Sequence, residues 1–221
     1  HANATYAAMI ASLDESVARL QAKLEELGLA ERTVIVLTSD HGGLIGAGKR
    51  RVTVNVPLRA GKGSAYEGGV RVPLVVKWPG VVRPGDVCET PVMSIDFLPT
   101  LLEIAGVKLD RPERIDGRSF AAALRDPRAA VDREALYWHY THYHPGGAAP
   151  YGAVRSGDFR LAEFYEDGHV ELYNLREDIG EKRDLAAANP QQTARLRKML
   201  GDWRKQVGAQ MPAPNPDYQA P

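Results

Sequence analysis

TVIVLTSDHGG, residues 33–43, changes character halfway along its length. Val34, Ile35, Val36 and Leu37 form a continuous, mostly β-branched apolar run, the pattern of a strand covered on both faces in a parallel or mixed sheet. The run ends at Thr38. Ser39, Asp40 and His41 then fall at the carboxyl end of the predicted strand, where open α/β sheets build their sites. Gly42 and Gly43 allow a sharp turn and close backbone approach to a ligand. In a turn, neighbouring side chains need not point to opposite sides, so Asp40 and His41 can both reach one cation. The same pair also reads as an Asp capping the next turn beside a half-buried polar His. The local sequence leaves both readings open.

Working outward, Tyr6 to Leu27 carries Ile10, Leu13, Val17, Leu20, Leu24 and Leu27 at steps of three and four, predicting an amphipathic helix. Asn3 or Thr5 is placed to cap it and Gly28 to end it. Helix, short connection and buried strand imply an α/β layering in which the helix covers the sheet. Downstream, Leu44 to Leu58 reads as a surface loop. Its basic trio Lys49, Arg50 and Arg51 is either a solvated tip or an attractor of anionic substrate. GKGSAYEGGVRVP (61–73) places Lys62 between two glycines, so one long cation projects from a tightly folded backbone. The alternatives are an anion-binding loop and a flexible exposed one. Glu67 and Arg71, four residues apart, are expected to pair with each other or with backbone and fix the loop.

Leu74 to Lys77 reads as a strand, with turns at Trp78-Pro79-Gly80 and Pro84-Gly85. Asp96 precedes a helix whose apolar face is Leu98, Leu101, Leu102, Ile104 and Ala105, ending at Gly106. Asp96 reads as its cap, with metal ligation as the alternative. Val107 to Asp132 is polar, broken by Pro112, Asp116-Gly117 and Asp126-Pro127, with one short helix near Phe120 to Arg125. Beyond it, Ala135–Tyr140, Ala153–Arg155, Phe159–Tyr165 and Val170–Leu175 read as short strands. Turns at Gly146-Gly147, Ser156-Gly157-Asp158 and Glu166-Asp167-Gly168 separate them. A helix over Gln191–Val207 presents Leu196, Leu200, Trp203 and Val207 on one face. The Pro-rich tail MPAPNPDYQAP is expected to be extended or disordered. The organisation expected is therefore an α/β part over 1–130 and a small α+β lobe over 131–221. YWHYTHYHPGG holds His139, His142 and His144, which read either as a metal cluster or as surface and packing residues.

Composition narrows the function classes. The 221 residues are 44% apolar and 25% charged, with 28 Lys+Arg against 28 Asp+Glu. That balance favours neither nucleic acid nor an anionic membrane as partner. No run approaches a membrane span, and HANATYAAMI lacks a basic n-region and cleavage site. Lacking an initial Met, the sequence reads as a mature or truncated piece. The single cysteine, Cys88, excludes an internal disulfide framework and a Cys-rich zinc site. It reads as a partly buried structural residue.

TYAAMIASLDESV, VIVLTSDHGG, LRAGKGSAYEGGVRVPLVVKWPG, SIDFLPTLLEIAG and GDFRLAEFYEDGHVELYNLREDIGE, in that order, resemble the C-terminal half of type I sulfatases of the alkaline phosphatase superfamily. The resemblance covers nearly the whole chain. It implies a mixed sheet sandwiched by helices, followed by a small α+β lobe with an antiparallel sheet and a C-terminal helix. It also implies hydrolysis of small-molecule or carbohydrate sulfate esters and a periplasmic or secreted parent. Asp40 and His41 match the family's second pair of metal ligands, for calcium. Many members have Asn at the second position; the imidazole of His41 suits Mn2+ or Zn2+ better than a hard, oxygen-seeking cation. Lys62 matches the lysine that contacts the sulfate ester and its bridging oxygen. The family's nucleophile is a formylglycine, whose hydrate attacks sulfur through one oxygen before the aldehyde re-forms and expels sulfate. Cys88, in CETPV, does not match its motif, so formylglycine and the acidic metal ligands are expected from an N-terminal half absent from this chain. His142 and His144 are candidates for substrate contact, since the family's small lobe helps shape the substrate pocket. A phosphodiesterase or phosphonate monoester hydrolase of the same superfamily, and a non-catalytic remnant, are the competing readings.

Overall fold

The computed structural model describes residues 3–47, 50–108, 115–145, 147–213 and 215–217. Lys49, Pro112 and Gly146 lie outside the described residues. The chain forms α1 (Ala4–Glu26), a 3-10 turn (Ala30–Arg32), β1 (Ile35–Thr38), β2 (Gly46–Ala47), β3 (Arg50–Arg51), α2 (Glu67–Val70) and β4 (Leu74–Lys77). A second 3-10 turn (Ser94–Asp96) leads directly into α3 (Phe97–Ile104), followed by α4 (Ala121–Arg125). β5 (Leu136–Tyr140), β6 (Tyr151–Ser156), β7 (Phe159–Phe164), β8 (Val170–Asn174) and α5 (Pro190–Gln206) complete it. This is the α/β class read from the sequence, with an antiparallel sheet and a C-terminal helix.

Two compact units result. One consists of His1–Asn3, Asp40–Val72 and Ala135–Pro221; the other of Ala4–Ser39 and Pro73–Glu134. The first, the sheet unit, is built on the antiparallel order β5-β6-β7-β8. Val154 pairs with Leu161 and Leu161 with Leu172, so one face carries branched apolar residues in register. Leu196 and Leu200 of α5 cover that face, and all five side chains are fully buried. Tyr137 stacks on Trp203, ring centroids 4.9 Å apart. Alternation sends the neighbouring residues to the other face. There Ala153 pairs with Ala162, both fully buried, and their small side chains let Ala65, from the loop before α2, pack directly against the sheet. The Lys62 loop is therefore the second layer of this sheet.

In the second, helical unit, β1 pairs antiparallel with β4, Val36 opposite Val76. The expected covered strand is not realised among the described residues. β1 has β4 as its one neighbour, no residue of either strand is fully buried, and Leu37 and Val75 are 42% and 59% exposed. Nor does α1 cover the sheet, since none of its residues is buried. The helix itself ends as read: Gly28 takes φ +66, Gly28 N–H donates to Glu25 O and Leu29 N–H to Leu24 O, a Schellman motif. α3 closes the same way through Gly106 and Val107. Asp96 is fully buried, but its carboxylate acts mainly as a tie. It accepts from Met93 N–H, from Arg118 N–H and, through both oxygens at 2.8 Å, from Arg133. Those donors fill its lone pairs, which answers the metal alternative. Cys88 is exposed rather than partly buried, on a segment that runs as exposed coil.

Candidate active-site loops

Asp40 and His41 begin the sheet unit, directly after β1 in the chain. His41 N–H donates to Asp40 Oδ1 at 3.1 Å, folding the carboxylate back over the next residue. The imidazole Nε2 then stands 3.2 Å from Asp40 Oδ2, and Nδ1 stands 3.0 Å from the Gly42 carbonyl. A carbonyl oxygen can only accept, so the proton belongs on Nδ1 and the neutral ring turns the Nε2 lone pair toward the carboxylate. Two electron-pair donors that face each other can share a cation. The Asp40 side chain is 81% exposed, open to such an ion. Together the pair supplies one carboxylate oxygen and one imidazole nitrogen, fewer donors than any common cation takes. Among the described residues no group of three or more His, Cys, Asp or Glu could hold a metal ion. The pair alone could therefore fit only one side of a coordination shell.

The turn that follows is held against the Lys62 loop through backbone. Gly42 N–H donates to Gly69 O at 2.9 Å, and Lys62 N–H to Gly43 O at 3.2 Å. Glycine is required here, because a Cβ on Gly42 would overlap the Gly68 carbonyl. Asn55, which sequence reasoning passed over, staples the two segments. Its Oδ1 accepts from Gly43 N–H at 3.1 Å, while its Nδ2 donates to Gly43 O at 2.8 Å and to Ala60 O at 3.0 Å. Little in the sequence marks it, since a lone Asn in a loop reads as an ordinary turn residue. Lys62 is half-buried, and among the described residues its ammonium has no hydrogen-bond or ion-pair partner. Asp40, His41 and Lys62 thus sit on two turns that share one backbone network.

Arg59 flanks the loop, its guanidinium 3.6 Å from the centre of the Tyr66 ring and donating to Tyr173 Oη at 2.8 Å. Tyr66 Oη donates to Glu171 at 3.3 Å, and burial together with that carboxylate pushes the phenol up to about 12. Glu67 and Arg71 pair at 3.6 Å as expected. Glu67 also meets the half-buried Arg155 and the fully buried Arg160, whose burial strand alternation alone does not mark.

The three histidines do not converge. His139 bonds Tyr165 Oη at 2.7 Å and the Gln210 carbonyl at 2.8 Å. His142 is exposed and meets Tyr140 edge-on, with centroids 5.5 Å apart. His144 goes elsewhere: its ring lies against Gly63, where an added Cβ would overlap Nδ1, so it borders the residue next to Lys62. The His144–Ala148 turn is closed by His144 N–H to Ala148 O and Gly147 N–H to His144 O, both 2.9 Å.

Residues 61–206 match the family described as N-sulphoglucosamine sulphohydrolase, C-terminal, and residues 1–107 match the family described as Sulfatase. A protein named Sulfatase from Formosa agariphila is 42% identical over 209 residues, covering 87% of this chain and 37% of that relative. The steryl-sulfatase of Mus musculus is 32% identical over 246 residues, covering 98% of this chain and 39% of its own length. Among solved structures, one protein in complex with its substrate D-glucosamine-2-N,6-O-disulfate superimposes with a TM-score of 0.75 at 29% identity, over 90% of this chain and 39% of that one. Ps i-CgsB in complex with k-i-k-neocarrahexaose gives a TM-score of 0.76, also at 29% identity, over 90% and 42%. The chain spans about two fifths of the length of these relatives. By the match over residues 61–206, which carries the Lys62 loop and the four-stranded sheet, the chain belongs to the sulfatases and corresponds to their C-terminal region.

Proposed function

We propose that this chain is the C-terminal part of a sulfuric ester hydrolase that cleaves sulfate monoesters at the Asp40–His41 and Lys62 turns. The observation that carries the reading is the backbone union of those turns: Lys62 N–H on Gly43 O, with Asn55 spanning both. Asp40 and His41 would hold a divalent cation, calcium by family resemblance, with manganese or zinc made reasonable by the imidazole. When bound, the cation polarises the sulfate group, and the formylglycine expected from the N-terminal half supplies the nucleophile. That half is the partner the chain requires, and residues 1–130 would belong with it to one catalytic domain, leaving 131–221 as the small lobe.

The chain's own residues do the rest. The Lys62 ammonium, without a partner among the described residues, attracts the sulfate anion and stabilises negative charge growing on the leaving oxygen as the S–O bond breaks. The Lys62 backbone N–H on Gly43 O supports a role for its side chain beside the turn that follows the metal pair. His144, seated on Gly63, and the exposed His142 line the approach and contact the substrate's organic portion. The sulfated sugar bound by one structural neighbour and the oligosaccharide bound by another support a carbohydrate sulfate as substrate. The family's periplasmic or secreted habit is carried over as part of the same proposal.

The test joins this chain to the remainder of its catalytic domain and follows aryl and sugar sulfate hydrolysis. Lys62→Ala should lower kcat/KM by about 10²–10³-fold, the loss typical of removing one charge-stabilising group. The chain alone should turn over no sulfate ester. Unchanged turnover in Lys62→Ala would refute the assignment. The Asp40–His41 pair also suits a phosphodiesterase of the same superfamily; a substrate panel preferring phosphate diesters would select that reading. Absence of any hydrolysis would leave a non-catalytic remnant.

A further inference from the structure

The Lys62 loop is gripped from beneath by charges that lie out of any substrate's reach. Arg160, the second residue of β7, is fully buried on the face that carries Ala162. Its guanidinium donates to the Ala65 carbonyl, pairs with Glu181 Oε1 at 2.8 Å and lies 3.5 Å from Glu67 Oε1. The second oxygen of Glu181 accepts the Glu67 N–H at 2.7 Å. One buried arginine–glutamate pair thus takes up both the carbonyl at position 65 and the amide at position 67. Glu67 is itself 2% exposed and reaches Arg71 and Arg155 at 3.6 and 3.9 Å. A separate observation points the same way: Glu181 holds φ +51, a conformation that favours glycine, yet a glutamate occupies it. Its carboxylate is needed there.

Resting on the sulfatase reading above, we propose that Arg160 and Glu181 are positioning residues for Lys62, holding its loop at a fixed height over the sheet. Lys62 has no side-chain partner of its own among the described residues, so its placement comes from its backbone. That backbone is fixed at one end by the Gly43 carbonyl and at the other by the Arg160–Glu181 pair. Displacing a catalytic group by about 1 Å costs on the order of 10²-fold in rate, so a slackened anchor should register in turnover. Glu67 links the anchor to α2, and Asn55 and Arg59 brace the flank. None of these groups meets the reacting atoms.

Two measurements test the proposal. In the 221-residue chain, amide hydrogen exchange is followed residue by residue. Glu181→Ala should accelerate exchange at Lys62 and Glu67 about tenfold or more while leaving Val154 and Leu161 in the sheet unchanged. Glu181→Gln, which keeps an oxygen for the Glu67 amide, should accelerate the loop by less than about threefold. Equal acceleration in loop and sheet, or none in the loop, would overturn the anchoring role. In the chain joined to the rest of its domain, Glu181→Ala should reduce kcat/KM for an aryl sulfate about tenfold. It should cause no further loss when added to Lys62→Ala, the signature of one residue acting through another. Additive losses would mean a general structural role and would sink the proposal. If Glu181→Ala does not fold, Arg160→Lys replaces it in both experiments, because a single ammonium cannot bridge Ala65 and Glu181 as the planar guanidinium does. Should the unsubstituted enzyme hydrolyse no sulfate ester, the functional reading falls and the exchange pattern still decides the anchor.

Discussion

In the sheet unit Val154, Leu161, Leu172, Leu196 and Leu200 are fully buried, while in the helical unit Leu13, Leu20, Leu37 and Val75 are 42–59% exposed. Both sets follow clear apolar periodicity. The difference lies in what faces them. β5–β8 has α5 on one side and the Lys62 loop on the other, whereas no described residue of α1, β1 or β4 is fully buried. Periodicity therefore forms the element, and burial waits on an opposing surface. The helical unit draws its fixed points from polar ties instead, above all Asp96 with Arg133.

Breaking that tie gives the largest expected effect. Removing one partner of a buried, hydrogen-bonded ion pair leaves an uncompensated charge, so Arg133→Ala should destabilise the helical unit by about 3–5 kcal/mol. Denaturation with a probe in each unit checks this, and the sheet unit should unfold at its original midpoint. The next substitutions probe the contrast directly. Leu161→Ala should cost about 2–5 kcal/mol by emptying a packed site. Leu20→Ala, at an exposed position on α1, should stay within about 0.5 kcal/mol. Comparable losses from the two would dissolve the contrast between the units.

The smallest effects are in pH dependence, where Glu181 of the sheet unit and Glu103 of the helical unit should contribute with opposite sign. Burial holds the Glu181 carboxyl above its usual range, against the opposing pull of Arg160. Between the usual value and the raised one, the folded state binds more protons than the unfolded state, so stability falls as pH rises through that window. Glu181→Gln should remove this slope. Glu103 is held low by hydrogen bonds from Ser119 and then Arg125. Its contribution is present above the usual carboxylate value and fades as pH falls through the depressed one. Because the Arg125 pair is half-exposed, salt should weaken the second slope before the first. Urea midpoints measured across mildly acidic pH, with and without salt, resolve the two.

Elements with local causes were legible from sequence. The ends of α1 and α3 followed from Gly28 and Gly106, the strands of the antiparallel sheet from alternation between turns, and α5 from Leu196, Leu200 and Trp203. The pairing of Glu67 with Arg71 was visible because i and i+4 meet on one helical turn. What escaped depends on distant partners. Exposure of β1 and α1 turns on layers that local pattern cannot supply. Arg160, Glu181 and Arg133 each act on backbone or charges far along the chain, and Asn55 on backbone in its own loop region; a polar residue carries no mark of such partners. The site residues matched by resemblance lie on turns that the structure joins, but only the glycines hinted at so close an approach.

The grip on the Lys62 loop also sets an order of events during synthesis. Arg160 follows the carbonyl it holds by 95 residues, and Glu181 follows the amide it holds by 114. A nascent chain must therefore carry the loop unanchored until β7 and the segment after β8 have left the ribosome. Until then the glycine-rich segment competes only with loop-closure entropy, which long-range contacts repay late. A chain stopped before Glu181 would contain every residue matched to catalysis here and still hold the Lys62 loop at one end only, through Gly43 and Asn55.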